Sequence, residues 1–218
     1  VSETTEGVHI HIIDAELMGK GEKEKKDLYI EGVQNNGIIN HYEYIINSEG
    51  TIEIRHVLKP EGKMPLWFPR IGLTLTVSDA LDQVKWYGRG PQENYPDRKT
   101  GYPMGIYAST VQAMYEPYLM PQDYGLRTDV RWLQLTTDKG IGLQFKMNEW
   151  FNFNIYPYST DNLTKAMYTY QLQKQKGMTL NLDYATTGVG CTARGVFGAY
   201  KAMPQEYRRT ISIRPMMK

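Results

Sequence analysis

The stretch of sequence that decides the fold reads Trp86-Tyr87-Gly88-Arg89-Gly90-Pro91-Gln92-Glu93-Asn94-Tyr95-Pro96-Asp97-Arg98. Gly88 and Gly90 flank Arg89, so the backbone there can adopt a positive φ or approach another group closely. Pro91 and Pro96 stiffen the residues that follow. We therefore predict an ordered loop with one shape, and residues 86–98 are called the organising loop below.

The organising loop also carries two acids and two arginines. Glu93 and Asp97 are expected to pair with Arg89 and Arg98, while three aromatic rings lie alongside and exclude water. Charged groups that lose water are stable only when they are paired and hydrogen-bonded. The loop is therefore predicted to hold a structural ion network.

Segments that alternate apolar and polar residues flank the organising loop on both sides. They predict strands at residues 8–13, 27–33, 38–46, 51–58, 70–77, 84–88, 128–136, 141–147, 168–173, 178–184 and 207–213. Turn residues at 34–37 and 138–140 predict two hairpins. The charged residues 20–26 and the proline-containing residues 60–65 are read as connections, and residues 188–190 as a glycine-rich loop.

One short helix is predicted at residues 160–166, where Ser159 can cap the first turn and Asp161 suits its charge. More than ten short strands with regular turns predict an all-β sandwich or barrel, and periodicity does not choose between them. A length of 218 residues is compatible with one domain over residues 1–218.

Composition excludes several classes of partner. The chain has 25 basic and 24 acidic residues, so no overall field favours nucleic acid or an anionic membrane. Neither a signal peptide nor a membrane span is expected. Cys191 is the only cysteine, so no intrachain disulfide forms. Because the chain begins at Val1 rather than Met, it is expected to be part of a longer polypeptide.

Two charged patterns could carry chemistry. Retaining glycoside hydrolysis needs two carboxyl groups about 5–5.5 Å apart. Glu93 with Asp97, or Glu149 beside Trp150, could be nominated, but spacing along the sequence places no pair across a cleft. A structural role is favoured for Glu93 and Asp97, so no catalytic residue is predicted.

A second charged pattern is Arg127, Asp129 and Arg131, which recur at every other position of a predicted strand. This spacing predicts an ionic ladder on one face, with the acid between the two bases. Pairing within the chain is favoured over a clamp for a sugar or a partner carboxylate.

The histidines give only a weak metal signal. His9 and His11 share one face of a predicted strand, but His41 and His56 lie on other strands without ligand spacing. Zinc commonly takes three or four protein ligands. No metal site is predicted.

The organising loop closely resembles a segment of the C-terminal β-sandwich, the small-chain or fifth-domain region, of bacterial β-galactosidases of the glycoside hydrolase family 2 type. The resemblance extends over most of the chain, through Phe68-Pro69-Arg70-Ile71-Gly72-Leu73, Tyr115-Glu116-Pro117-Tyr118 and Pro121-Gln122-Asp123-Tyr124-Gly125-Leu126-Arg127-Thr128-Asp129-Val130-Arg131-Trp132. It implies a large antiparallel two-sheet supersandwich of the galactose-mutarotase-like kind.

The resemblance also implies what the chain does. Both catalytic glutamates of the family lie in a preceding barrel domain, so this chain would support that barrel and lend a loop to the rim of the galactoside subsite. The family's Mg and Na lie outside this domain, so no cofactor is expected here. The enzymes are commonly homo-oligomers, and the compartment stays open between bacterial cytoplasm and periplasm.

One segment departs from the family pattern. Where the family has Gly-Val-Gly-Gly, acidic residues and a Ser-Trp that lines the subsite, this chain has Gly188-Val189-Gly190-Cys191-Thr192-Ala193-Arg194-Gly195. Gly195 stands nearest to the missing tryptophan and cannot stack on a sugar. Arg194 can donate to hydroxyls instead, so Cys191, Arg194 and Gly195 are the candidates for the substrate rim. The family's histidine near the short helix is replaced by Tyr168 or Tyr170.

Two other functions stay open from the sequence. A free-standing carbohydrate-binding module would expose coplanar aromatic rings. A mutarotase-like sugar epimerase would need a histidine and a carboxylate on opposite sides of a hexose.

Overall fold

The computed structural model describes residues 2–4, 7–17, 37–190 and 195–217. Within these residues the strands are β1 Ser2–Thr4, β2 Gly7–Leu17, β3 Gly37–Ile46, β4 Ile52–Glu61, β5 Arg70–Val77, β6 Gln83–Arg89, β7 Met104–Thr110, β8 Arg127–Thr136, β9 Gly142–Tyr156, β10 Met178–Thr186 and β11 Tyr207–Met216. One α-helix, α1, covers Thr160–Lys165, and 3-10 turns cover Thr169–Gln171 and Gly198–Tyr200.

All strand pairs are antiparallel, and the main path runs β1-β2-β3-β4-β11-β9-β8-β6-β7. Strand β10 pairs with β5 on one side and with β9 on the other. The first part of β9 pairs with β11, whereas its last part pairs with β10. Strand β9 is therefore shared by the long path and by the β5–β10 pair.

The two larger core clusters join the β5–β10 pair to the rest of the sheet. Leu180 and Leu182 of β10 share one cluster with β6, β8 and β9, which contribute Trp86, Leu133 and Phe153. A second cluster joins β5 and β10 to β3, β4 and β11, through residues that include Ile38, Ile54, Ile71, Tyr184 and Ile211. Burial on this scale is the main favourable term that holds such a fold together.

The prediction of an all-β antiparallel fold with one short helix is confirmed. Helix α1 begins after Ser159, whose hydroxyl accepts a hydrogen bond from the amide of Asn162 at 3.1 Å. Asp161 lies in the first turn and Lys165 in the last, which suits the helix dipole. No helix within the described residues is long and apolar enough to cross a membrane.

The strand predicted at residues 168–173 is wrong. Tyr168 and Tyr170 are exposed and stack on each other, and Thr169–Gln171 form a 3-10 turn. The side-chain oxygen of Gln171 accepts hydrogen bonds from the amides of Met167 and Tyr168. This local bonding replaces the partner strand that the alternating pattern would have required.

Other boundaries differ from the predictions. Strand β7 and the second half of β9 were not predicted, although Phe151 and Phe153 are fully buried there. Strand β4 continues through Pro60, so the predicted break begins later. The predicted strand at 27–33, its turn at residues 34–36 and the charged residues 20–26 lie outside the described residues.

Candidate functional site

The two glycines of the organising loop permit close approach rather than a positive φ. A Cβ atom at Gly88 would lie 2.9 Å from the side chain of Val130. At Gly90 it would lie 2.8 Å from the ring of Tyr107. Both distances are shorter than real contacts allow. The loop therefore fits against β8 and β7 only because residues 88 and 90 are glycines and have no side chain.

Glu93 is the buried anchor of the organising loop. Its carboxylate accepts hydrogen bonds from Arg98 at 2.7 Å, from the amide of Gly125 at 2.9 Å and from the hydroxyls of Tyr95 and Tyr118. Burial by itself would raise the pKa of Glu93, but these donors outweigh it and hold the pKa below its usual range. Glu93 is therefore a structural anion, and it pairs with Arg98 rather than Arg89.

The predicted ladder of Arg127, Asp129 and Arg131 does not form. The pairing of β8 with β9 shifts register between Arg127 and Trp132, and Asp129 has a positive φ of 56°. This irregularity breaks the alternation on which the ladder depends. The three side chains consequently point to different surroundings.

Each of the three residues has its own partners. Arg127 is buried, donates to the carbonyls of Pro91 and Gly125 and lies over the ring of Trp86. Burial lowers the pKa of Arg127 to about 10. The guanidinium of Arg131 lies 3.4 Å from the centroid of the Trp150 ring.

Arg89 pairs with Asp129, and the predicted pairing of Arg89 with Glu93 or Asp97 is wrong. The Nε atom of Arg89 donates to Asp129 at 2.6 Å, and the Nζ atom of Lys99 donates to the same carboxylate at 2.9 Å. Arg89 also donates to the carbonyls of Lys99 and Tyr102. Although burial opposes it, hydrogen bonding to Arg89 and Lys99 lowers the pKa of Asp129. Arg89 thus ties the organising loop to β8.

Replacing Arg89 with alanine should lower the free energy of unfolding by about 2–3 kcal/mol, because a charge-assisted bond and two donors to backbone carbonyls are lost. Lys99 remains beside Asp129, so the loss stays below that of a buried charge left alone. Urea denaturation measures the change. Arg208→Ala removes an exposed arginine paired with Glu206 and should change stability by less than about 1 kcal/mol. Equal midpoints for the two variants would contradict the role given to Arg89.

Asp97 binds a second loop instead of an arginine. Its carboxylate accepts hydrogen bonds from the amide of Val189 at 3.0 Å and from the amide of Gly190 at 2.6 Å. A Cβ atom at Gly188 would lie 2.3 Å from the Asp97 carboxyl carbon, so glycine is required for this contact. The predicted pairing of Asp97 with Arg89 or Arg98 is therefore wrong, and Asp97 instead joins the organising loop to residues 188–195, called the rim loop below.

The rim loop has a narrow base. Gly190 and Gly195 both adopt a positive φ, near 66° and 63°. A Cβ atom at Gly190 would lie only 2.6 Å from the carbonyl carbon of Gly195, so the two ends of the loop touch. Gly195 is exposed. Cys191 and Arg194, the other two rim candidates, lie outside the described residues.

A cleft of about 800 Å³ lies beside the base of the rim loop and is called the first cleft. Gly188 and Val189 line one part of it, and Trp67, Tyr118 and Asp123 line others. Trp67 and Tyr118 offer aromatic surface, while Asp123 offers carboxylate oxygens. This mixture of aromatic and polar groups is typical of small-molecule sites.

The polar side of the first cleft continues into a buried network. Arg70 donates to Asp183 at 2.8 Å and to Asp123 at 3.3 Å. Asn154 donates to Asp123 at 2.9 Å and accepts from Arg70. Burial raises the pKa of Asp183 to about 6, against the attraction of Arg70. Asp123 is the acid of this network that remains accessible from the cleft, since 44% of its side chain is exposed.

A second cleft, of about 520 Å³, is bordered by Pro96 of the organising loop. Lys99 and Asp129 line it, together with Glu149, Trp150 and Arg209. Trp150 is 60% exposed, and Arg131 covers one face of its ring. Glu149 pairs with Arg209 at 3.0 Å. The sequence had flagged Glu149 beside Trp150, but not the cleft that surrounds them.

No histidine is found among the described residues that line either cleft. His56 is buried between Tyr184 and Asn40, at 2.7 Å and 3.0 Å, and burial lowers its pKa to about 4. A histidine and a carboxylate facing each other across a hexose are therefore not assembled in these clefts.

The segment after the rim loop was missed in the sequence. Val196 lines the first cleft and Tyr200 the second, so this segment borders both. Phe197 lies between these two residues in the sequence and is 69% exposed. The sequence shows that Phe197 follows the rim loop, but it does not show that its ring is exposed.

The family-model match and the sequence relatives agree on one family. Residues 5–213 match the family model described as the β-galactosidase small chain. A β-galactosidase from Priestia megaterium is 38% identical over 147 residues, which are 67% of this chain and 14% of that protein. A β-galactosidase from Vibrio cholerae is 39% identical over 122 residues, which are 56% of this chain and 11% of that protein.

Solved structures with a similar course of the chain include a GalM/aldose epimerase homologue from C. elegans. It has a TM-score of 0.45 and 12% identity, and the match covers 99% of this chain and 67% of that one.

Proposed function

The chain belongs to the β-galactosidase small-chain family, and we propose that it is a non-catalytic domain of a longer β-galactosidase. In this proposal the domain supports the catalytic barrel and contributes its rim loop to the galactoside subsite. Residues 1–218 are proposed to form one domain of that polypeptide. The chain spans only 11–14% of the length of the relatives described above, which supports this placement.

Exposed apolar side chains support a role against neighbouring domains. Leu66 is 85% exposed and Leu119 is 96% exposed, and Trp67 and Phe197 lie exposed as well. Contiguous apolar patches mark surfaces for other protein parts, and we propose that these side chains contribute to such a surface. Trp67 lines the first cleft and Leu66 precedes it, so the proposed contact lies near the rim loop.

The proposed role of the rim loop rests on one observation. The organising loop, which the buried Glu93 anchors, holds the base of the rim loop in place. Glu93 fixes the organising loop, and Asp97 of the same loop binds the amides of Val189 and Gly190. Loops placed by a rigid scaffold are where proteins commonly position binding groups. We propose that Arg194 donates to substrate hydroxyls, and that exposed Phe197 supplies aromatic surface in place of the missing tryptophan.

The acids of this chain are not proposed as catalytic groups. Glu93 is enclosed by four donors and Asp97 by two backbone amides, so neither carboxylate is free to attack a sugar. The catalytic glutamates are proposed to lie in the preceding barrel, as the family resemblance implies. We also propose that the longer enzyme hydrolyses galactosides and forms a homo-oligomer.

The purified 218-residue chain should show no turnover of aryl β-galactosides, whereas the longer reading frame that contains it should hydrolyse them. Release of the aryl group measures both. Turnover by the chain that disappears in the Asp123→Asn or Glu149→Gln variant would contradict the proposal, because the reaction would then depend on a carboxylate of this chain.

A carbohydrate-binding module is a second candidate, which the exposed ring of Trp150 in the second cleft favours. Arg131 already covers one face of that ring, which leaves one face for stacking on a sugar. The same purified chain separates the two functions. A binding module would bind galactosides without the longer polypeptide, and Trp150→Ala would abolish that binding.

A further inference from the structure

Three metal-binding side chains meet on one face of strands β2 and β3. His9 and His11 alternate on β2, and the antiparallel register places Glu43 of β3 directly opposite His11. One ligand atom from each of the three residues lies within 4.8 Å of the other two. We propose that His9, His11 and Glu43 bind a zinc-class divalent cation.

The two distances from the imidazole nitrogens to the shared carboxylate oxygen are close to those around a tetrahedral ion. The Nδ1 atom of His9 lies 3.4 Å from Oε1 of Glu43, and the Nε2 atom of His11 lies 3.9 Å from the same oxygen. Zinc binds such ligands at about 2.0–2.2 Å, which separates tetrahedral neighbours by about 3.3–3.6 Å. The first pair is already at this separation, and the second needs a shift of about half an ångström in an exposed side chain.

An ordinary hydrogen-bonded histidine does not account for His9. Both ring nitrogens of His56 have partners at hydrogen-bond distance. By contrast, the Nδ1 atom of His9 reaches Glu43 only at 3.4 Å, which is long for a hydrogen bond to a carboxylate. A cation placed between this nitrogen and the Glu43 carboxylate would be a ligand partner for both.

Arg55 orients the carboxylate of the site. Its guanidinium donates to Oε2 of Glu43 at 3.1 Å, while its Nε atom donates to Glu53 at 2.8 Å. Because Arg55 holds one oxygen, the other oxygen of Glu43 faces the two imidazoles. Outer partners of this kind commonly fix the ligands of metal sites.

The ligand set selects the class of ion. Two imidazoles and one carboxylate suit zinc and its neighbours among the transition metals, whereas calcium and magnesium prefer oxygen ligands. The side chain of His11 is 66% exposed, so a fourth position is open to water.

The ion would join two strands. Strand β2 pairs only with β1 and β3 among the described strands, so a bridge from His9 and His11 to Glu43 fastens it to the sheet. None of the three residues lines either cleft, and the inference is therefore independent of the proposed function.

Titration of Zn²⁺ into the untagged, EDTA-treated 218-residue chain should show one ion bound per chain. Since even an outer partner is commonly worth about 10–100-fold in affinity, His11→Ala should weaken Zn²⁺ binding by about 100-fold or more. His11 is exposed, so this variant should fold like the unmodified chain. His41→Ala is the matched control, because His41 is an exposed histidine of β3 that lies outside the cluster.

Two further readouts test the geometry of the site. Co²⁺ should give the visible absorption of a four-coordinate ion, and Glu43→Gln, which keeps the shape of the side chain, should abolish it. Zn²⁺ should also slow amide hydrogen exchange in residues 8–13. Equal losses of Zn²⁺ affinity in His11→Ala and His41→Ala, or no specific binding by the unmodified chain, would overturn the proposal.

Discussion

Replacing Glu93 with alanine should lower the free energy of unfolding by about 3–5 kcal/mol, the largest loss expected for any single carboxylate of the organising loop. The variant leaves the amide of Gly125 and the hydroxyl of Tyr95 without their acceptor in a buried place. Each unsatisfied buried donor costs about 1–3 kcal/mol, and the bond from Arg98 is lost as well.

Urea denaturation of the wild-type chain and the variant measures this loss. Glu206→Ala is the matched control, since Glu206 is exposed and pairs with the exposed Arg208, and it should cost less than about 1 kcal/mol. A Glu93→Ala midpoint as close to wild type as that of the control would show that the organising loop has no buried anchor.

The contribution of Glu93 should also depend on pH. Its pKa is lower in the folded chain than in the unfolded chain, so the unfolded state takes up a proton first on acidification. The stability that Glu93 supplies is therefore complete above about pH 4.3 and is lost as the pH falls through the folded-state pKa. The difference between wild type and Glu93→Gln should shrink over that range.

The second large effect is expected at Asp97. Asp97→Ala removes the carboxylate that accepts hydrogen bonds from the amides of Val189 and Gly190, and so frees the base of the rim loop. Displacement of a positioning group by about 1 Å can cost about 100-fold in rate, so kcat/KM for galactosides should fall about 10–100-fold in the longer enzyme. Asp97 is half-buried at the surface of the loop, and its loss should leave the cores unchanged.

The ion pairs of the organising loop were predictable only where the two partners lie close together along the chain. Glu93 and Arg98 are five residues apart, and their pairing was predicted from the loop itself. Asp97 and Arg89 find their partners at Gly190 and Asp129, which the sheet brings to the loop from distant segments. Charge counting inside the loop could not identify those partners.

The ladder at Arg127, Asp129 and Arg131 shows a second limit. The prediction assumed an uninterrupted strand, in which alternate residues share a face. The positive φ at Asp129 and the register shift beside it turn these side chains apart. Aspartate is depleted in strands and tolerates a positive φ better than most residues, but its presence alone does not fix where a strand becomes irregular.

The composition of the histidine cluster also depends on the register between β2 and β3. The sequence showed that His9 and His11 share a face, yet the third ligand depends on which residue of β3 lies opposite. A shift of one residue would have placed Tyr42 or Tyr44 there in place of Glu43. Fold class and the short helix were predictable from local patterns, whereas both sites depend on strand pairing.

Steady-state kinetics of aryl β-galactoside hydrolysis by the longer enzyme, with Asp97→Ala compared with Asp161→Ala, test the account most directly. Asp161 is an exposed acid of α1 that pairs with Lys165, so its loss should change neither kinetics nor stability. The account predicts that Asp97→Ala lowers kcat/KM about 10–100-fold while the Tm stays near that of the control. Kinetic constants equal to those of Asp161→Ala would contradict it, because the rim loop would then have no part in the galactoside subsite.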